Sequence, residues 1–347
     1  MIVDVRDAAH KPPSAVHRTP DGTFHNPWPD SEPRDLGEVL RWSAQRLTQT
    51  LAKDPPRGSF PVAAPAISYP RASDNDFSAT WIGHSTVLLQ VGNINVITDP
   101  VFSQRASPVQ WAGPRRIMDP AISIAALPPV DVVLLSHNHY DHCDMPAIRW
   151  IAKTQPRTTW IVPVGLAAYI RRWGVREIIE LDWWQEAAIN GIRLTATPAR
   201  HFSARGLLDR NKSLWCGFSL ESKGRRAYFA GDTAYHPAFD EIGARCGPFD
   251  FVMIPIGAYD PRWFMHSMHT DPEEAVQIYQ DLVSAHPGKP FPLMLAIHWG
   301  TFRLTDEPMD EPPRRTVARW DAVGLDADRL WIGSFGETRP LGTRSSV

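Results

Sequence analysis

An apolar run over residues 130–135 leads directly into Ser136-His137-Asn138-His139-Tyr140-Asp141-His142. The run has the length and composition of a buried strand. The segment after it reads H-x-H-x-D-H, so three imidazoles and a carboxylate share one loop at the strand's end. Imidazole nitrogen and carboxylate oxygen are the donors that zinc and similar divalent ions take at about 2.0–2.2 Å. Without a cation, rings packed this densely would repel one another as they protonate. The fold must therefore deliver a strand end to a metal, and other strand ends must reach the same point to complete its shell.

Candidates for those ends recur along the chain. Residues 80–82, 86–91 and 94–98 read as consecutive strands, with Gly92-Asn93 as a tight turn. Further strands are expected at 159–162, 178–181, 192–197, 214–220, 226–229, 251–256, 293–297 and 330–332, with helices between several of them. The clearest helix starts after Asp271, with Pro272 first and Glu274 completing the cap. Its apolar positions Ala275, Val276, Ile278, Tyr279, Leu282 and Val283 have helical spacing. Strand runs mixed with helices imply an α/β fold, sheets covered by helices.

Residues 1–34 are polar and proline-rich and read as an arm lying over the body or partly disordered. A helix should follow, capped by Asp35 with Glu38 as partner and stopped by Asp54-Pro55-Pro56. Leu36, Val39, Leu40, Leu47 and Leu51 form its apolar face, which is expected to pack on the body; an interfacial membrane helix is the alternative. The chain divides into an arm and helix over 1–78 and a body over 79–347.

Three more strands run into ligand types. Residues 192–197 lead to His201, 226–229 lead to Asp232, and 293–297 lead to His298. With the opening motif, the candidates are His137, His139, Asp141, His142, His201, Asp232 and His298. Seven is too many for one tetrahedral ion and suits two, each with three private ligands and one shared. Asp232 is the natural bridge, because a carboxylate offers two oxygens. Asp99, at the end of 94–98, is a candidate to orient a ligand histidine. Cys143 adjoins the motif but reads as a buried neighbour, not a ligand.

In this order, H-x-H-x-D-H, a distal His, a Gly-Asp-Thr aspartate and a final His resemble the metallo-β-lactamase superfamily. More narrowly, the chain resembles the N-acylphosphatidylethanolamine-hydrolysing phospholipase D family. The narrowing rests on segments such as Phe24-His25-Asn26-Pro27-Trp28-Pro29, Thr80-Trp81-Ile82-Gly83-His84-Ser85-Thr86, Asp182-Trp183-Trp184, Pro261-Arg262-Trp263-Phe264-Met265 and His298-Trp299-Gly300-Thr301-Phe302. The likeness runs from about Phe24 to Phe335. It implies an αββα sandwich in which 79–347 is the hydrolase domain. It also implies two Zn(2+) per chain: His137, His139 and His201 on one, Asp141, His142 and His298 on the other, and Asp232 bridging. Asp141 and His269 are the expected catalytic residues, His269 as a proton donor or phosphate-binding group by resemblance. His84 is expected to point toward the site or to satisfy a turn.

The reaction so implied is hydrolysis of N-acylphosphatidylethanolamine to N-acylethanolamine and phosphatidic acid by a metal-bridging hydroxide. The alternative is a hydrolase of the same fold acting on a lactone, cyclic phosphate or sugar phosphate. Trp183-Trp184, Trp263-Phe264-Met265 and Trp299 are candidates for an acyl groove or the lipid interface, since 14 tryptophans exceed what packing needs, although core packing is the commoner role for any one of them.

A formal charge of −2 gives no basic field for nucleic acid, which is not expected as a partner. Three cysteines make no disulfide framework and fit a reducing compartment. The start Met1-Ile2-Val3-Asp4-Val5-Arg6-Asp7 has no basic region followed by an apolar one, so no secretory signal is read there. No stretch approaches the roughly 18–20 apolar residues of a spanning helix. The expected partner is a phospholipid at a membrane surface. The expected location is cytoplasmic, with peripheral attachment to the inner membrane as a variant, and a homodimer stays open.

Overall fold

The computed structural model describes residues 4–7, 17–31, 36–206 and 208–341. Two mixed sheets face each other. In spatial order, one holds Thr338–Pro340, Phe77–Gly83, Thr86–Val91, Ile94–Thr98, Val132–Leu134, Thr159–Pro163 and Ile178–Leu181. The other holds Asp4–Asp7, Gln185–Ile189, Ile192–Thr197, Gly217–Ser222, Arg225–Phe229, Phe251–Pro255, Leu293–Ile297 and Leu330–Trp331.

Strand alternation divides the apolar side chains between two cores. In the first sheet Trp81, Val87, Leu89, Val132 and Leu134 point inward to the large core shared with the second sheet. Their neighbours Ile82, Leu88, Val133 and Leu135 point outward, onto Ile148 and Ile151 of the helix Met145–Thr154 and Ile170 of Ala167–Arg171. The second sheet is covered by Phe239–Cys246, Pro272–Ser284 and Glu311–Ala322. The result is the expected αββα sandwich.

The capped helix forms as its sequence dictates. The Asp271 carboxylate accepts from Glu274 N–H, the Glu274 side chain accepts from Asp271 N–H, and Ala275, Val276, Ile278, Tyr279 and Leu282 are buried. Among the described residues, no helix is long and apolar enough to cross a membrane.

The helix Leu36–Thr48 departs from expectation. Asp35 and the side chain of Leu36 lie outside the described residues. Leu40 and Leu47 do not pack; they are 61% and 89% exposed. The cause is Asp306, whose buried carboxylate accepts from Trp42 Nε1 at 2.8 Å and pairs with Arg46 at 3.1 Å. These two contacts turn Trp42 and Arg46 toward the body, so the apolar face of the sequence pattern divides, with Val39 inward and Leu40 and Leu47 outward. Leu51 lies past the helix end.

The aromatic segments divide between core and cavity. Trp183, Trp184 and Trp299 belong to the core, the commoner place for an aromatic side chain. Trp183 Nε1 donates to Trp215 O at 2.7 Å, and its ring stacks on Trp28 and lies tilted against His17. Of that set, only Phe264 and Met265 reach the cavity described below.

Candidate metal centre

The strands Ile94–Thr98, Val132–Leu134, Arg225–Phe229, Phe251–Pro255 and Leu293–Ile297 run parallel to a neighbour. Parallel strands bring their C-terminal ends to one edge. Asp99, the 136–142 loop, Asp232 and His298 follow four of these ends, and His201 follows Ile192–Thr197. The approach of two loops requires Gly231: it has φ +63°, and a Cβ there would lie 2.7 Å from Ser136 Cβ. Left-handed backbone also appears at non-glycine residues around the site, namely His84 (φ 54°), Asp99 (φ 31°), Ala258 (φ 65°) and His298 (φ 62°). Such conformations are costly and concentrate at functional sites.

The structure brings all seven candidates and His269 together. In the first group, Ser136 Oγ donates to Asp99 Oδ2 at 2.6 Å and therefore accepts from His137 Nδ1 at 2.9 Å. His201 Nδ1 donates to Met268 O at 2.7 Å. These partners leave His137 Nε2 and His201 Nε2 as lone-pair nitrogens, and they face His139 Nδ1 at 2.8 and 3.1 Å. A single N–H on His139 can serve only one of them, whereas one cation would serve all three. Burial holds the rings neutral: the pKa of His139 is pushed down to about 3, that of His201 to about 4, and that of His137 well below the usual imidazole value.

The second group is carboxylate-rich. Asp99 Oδ2 also accepts from His142 Nδ1 at 2.7 Å, which turns His142 Nε2 toward Asp232 Oδ2 at 3.0 Å and Asp141 Oδ2 at 3.3 Å. His298 Nε2 lies 3.1 Å from Asp232 Oδ2 and 3.3 Å from Asp141 Oδ2. Burial opposes charge on His298, yet Asp232 and Asp141 outweigh it and lift its pKa to about 9. The same two acids hold His142 well above its usual value against burial. Burial likewise opposes ionisation of Asp141 and Asp232, but His142 keeps both far below the carboxylate range. Protons here occupy the place where a divalent cation would serve the same donors.

Several buried donors and acceptors have no hydrogen-bond partner: Asp232 Oδ1, His298 Nδ1 and His269 Nδ1. Unpaired polar atoms this dense are unusual in a native interior and fit a missing cation. The all-N/O donor set suits zinc, iron or manganese. His137, His139 and His201 could hold one ion, and Asp141, His142 and His298 another. Asp232 Oδ2 is 3.9 Å from both His137 Nε2 and His201 Nε2, so it faces both groups.

His84 Nε2 donates to Asp141 Oδ2 at 3.0 Å, so it faces the site. His269 is also at the site, with Nδ1 4.0 Å from Asp232 Oδ2 and its ring centroid 4.8 Å from that of His201. Cys143 is buried, its thiol pKa raised to about 12 by burial, and it joins no metal-binding group among the described residues. Sequence reasoning missed Ser136, the Met268 carbonyl and Asn26, which touch candidate ligands. Ser136 directly precedes the motif, and Asn26 lies in the Phe24–Pro29 segment, whose role no local pattern reveals; the Met268 carbonyl carries no signal in a single sequence.

Above the cluster opens a cavity of about 400 Å³. Its floor includes His139, Asp141, Asp232 and His269, its walls include Val39, Trp42, Phe202, Phe264, Met265, Met268 and Leu304, and Arg210 joins its lining.

The Beta-lactamase superfamily domain matches residues 94–299. An uncharacterized protein of Mycobacterium tuberculosis (strain H37Rv) is 40% identical over 300 residues, 86% of this chain and 78% of that protein. N-acyl-phosphatidylethanolamine-hydrolyzing phospholipase D 1 of Caenorhabditis elegans is 38% identical over 282 residues, 76% of this chain and 77% of that protein. In fold, the chain resembles the isothiocyanate hydrolase from Delia radicum gut bacteria, with TM-score 0.59, 19% identity, and coverage of 76% of this chain and 98% of that one. The sandwich, the cluster at its edge and these relatives make this chain a metal-dependent hydrolase of the metallo-β-lactamase superfamily, in the family of the N-acylphosphatidylethanolamine-hydrolysing phospholipases D.

Proposed function

We propose that the protein is a zinc phosphodiesterase of phospholipase D type that converts N-acylphosphatidylethanolamine to N-acylethanolamine and phosphatidic acid. The observation that carries this reading is the cavity, whose charged floor meets largely apolar walls. That gradient suits a phosphodiester whose acyl chains stay in an apolar setting. The relative from Caenorhabditis elegans bears the name of this activity. Divalent ions held by the seven ligands would acidify water and draw charge from phosphoryl oxygens. The chain's own residues orient the reaction: Asp141 is fixed by His84, Asp232 faces both ligand groups, and His269 presents a ring nitrogen beside them. Arg210, stacked 5.2 Å from the Phe202 centroid, adds a positive charge to the lining and would attract an anionic headgroup.

A test of the chemistry uses solvent ¹⁸O. Purified protein incubated with N-acylphosphatidylethanolamine should release N-acylethanolamine, a chelator should abolish release, and the label should enter phosphatidic acid. Label in a fatty acid would mean acyl-ester hydrolysis and would overturn the reading. A cavity of about 400 Å³ also lies within the roughly 300–1,000 Å³ range of drug-sized ligands. Rapid turnover of a lactone or soluble phosphodiester, with none of lipid, would favour the soluble-substrate alternative.

The same cavity is too small to enclose a lipid with its chains, and exposing each CH₂ to water costs about 0.8 kcal/mol. The lipid is therefore met at a bilayer surface. Segments that line the cavity also carry exposed apolar side chains nearby: Leu40 and Leu47 on the helix of Trp42, Trp111 on the loop of Ala106, and Leu208 beside Arg210. The variant Leu47→Glu/Trp111→Glu/Leu208→Glu should lower co-sedimentation with phosphatidylethanolamine-containing vesicles on the order of tenfold or more, since each inserted large side chain contributes about 1.5–3 kcal/mol. Unchanged binding would remove these residues from the membrane contact.

A further inference from the structure

His201 differs from the other ligands in what holds its backbone. The strand before it ends at Thr197 and the isolated bridge beyond pairs Arg200 with Ala234, so among the described residues no backbone partner is seen for residue 201 itself. One side chain in the N-terminal arm, 175 residues away in sequence, supplies both missing partners. Asn26 Nδ2 donates to His201 O at 2.8 Å, and Asn26 Oδ1 accepts from His201 N–H at 3.2 Å. Asn26 Oδ1 also accepts from Trp215 Nε1 at 3.0 Å, and the same indole N–H reaches Ala199 O at 2.9 Å. The planar amide thus copies a strand neighbour, giving one donor and one acceptor to a single residue.

The arm is held in place for this contact. Trp28 stacks on His236 with centroids 4.2 Å apart and on Trp183 at 5.7 Å. The guanidinium of Arg200, the residue before His201, donates to Pro29 O at 3.0 Å, Asp30 O at 2.7 Å and Ser31 Oγ at 2.9 Å. The arm and the ligand segment therefore grip each other on both sides of the amide pair. At the other end of His201, Met268 O fixes the ring. Ring and backbone together set where Nε2 points.

We infer that Asn26 is a positioning residue of the metal centre: its amide clamps the His201 backbone, so the N-terminal arm sets the metal affinity of the His137, His139 and His201 position. This rests on the reading of His201 as a ligand. Residues that orient metal ligands are typically worth about 10–100-fold in affinity. No other side chain as short as Asn offers a donor and an acceptor in one plane. Asp keeps the shape and loses the donor; Ala loses both.

The test is zinc titration of the full chain after metal stripping, competed against a chromophoric chelator, for wild type, Asn26→Asp and Asn26→Ala. Asn26→Ala should weaken one of two zinc equivalents by about 10–100-fold and leave the other near wild type. Cobalt-loaded protein should lose or shift the ligand-field bands of that one position. Asn26→Asp should lower the same equivalent while apo-protein circular dichroism stays unchanged. It carries the test if Asn26→Ala does not fold. Wild-type affinity at both positions in Asn26→Asp, or equal loss at both, would overturn the positioning role. Failure of wild type to bind zinc would instead overturn His201 as a ligand, and the inference with it.

Discussion

Asp232→Asn should empty both metal positions together, with elemental analysis falling from about two equivalents to under one. The substitution keeps the size and shape of the side chain, so packing around it is retained. What it removes is a negative charge near four imidazoles: Asp232 Oδ2 lies 3.0 Å from His142, 3.1 Å from His298, and 3.9 Å from both His137 and His201. In the metal-free protein that charge helps to hold the His298 pKa at about 9, so the acid already stabilises positive charge in this place. Two cations in the same place would need it more. Turnover should fall by at least the 10²–10³ associated with losing one preorganised charge-stabilising group, roughly 2.7–4 kcal/mol. His201→Ala provides the contrast, since it touches one group only and should release one ion. If Asp232→Asn released one ion and kept the other at wild-type affinity, the bridging assignment would fail.

The cluster was legible because its signal is local and chemical. Four potential donor side chains sit in the six residues from His137 to His142, and each remaining candidate follows a run with the pattern of a strand. The strands Thr86–Val91, Ile94–Thr98, Ile178–Leu181, Ile192–Thr197 and Leu293–Ile297 match their expected bounds residue for residue, because fully apolar or alternating runs between turn residues have one reading. The strand Gln185–Ile189 was missed: its Gln-Glu-Ala-Ala-Ile composition has little β-branched content, and burial against its neighbours overrides propensity. A signal was nonetheless present. Asn190 and Gly191, both with positive φ, form the hairpin turn that joins it to the strand Ile192–Thr197.

The first helix shows the opposite limit. Its heptad-like leucines suggested one packed face, but a buried carboxylate at Asp306, 264 residues from Trp42, decided its rotation. The arm is a similar case. The Phe24–Pro29 segment was recognised as a family signature, yet what Asn26 does depends on a backbone pair 175 residues away. Periodicity reports what one element prefers. It says nothing of a distant polar group that must be satisfied.

His269 is where the structure changes the expected chemistry most. Burial, with His201 and His298 beside it, pushes its pKa well below the usual imidazole value. A base with a lowered pKa is neutral above that value, so the ring at neutral pH is uncharged, and nearby cations would depress its pKa further. That direction favours a neutral ring over an imidazolium acid. The ring can donate a neutral N–H bond to a phosphoryl or leaving oxygen, and its Nδ1 is buried with no hydrogen-bond partner. Its position is set independently of any substrate: Arg262 donates to His269 O at 2.9 Å, and the next residue, Thr270, donates its N–H to Thr233 O at 2.9 Å. His269→Ala should therefore lower kcat by about 10²–10³, the scale of a lost preorganised donor, with metal content intact. His269→Gln keeps an N–H donor and should recover part of that loss, while the pH profile of kcat keeps its shape in both variants. An imidazolium acid would behave differently, because Gln would then do no better than Ala and the basic limb of the profile would disappear. A diester with an activated aryl leaving group separates the two oxygens: it should be insensitive to His269→Ala if the bond goes to the leaving oxygen, and fully sensitive if it goes to the phosphoryl oxygen. Loss of an ion in His269→Ala would make this residue a ligand, and unchanged kcat and KM would leave it without a part in the reaction.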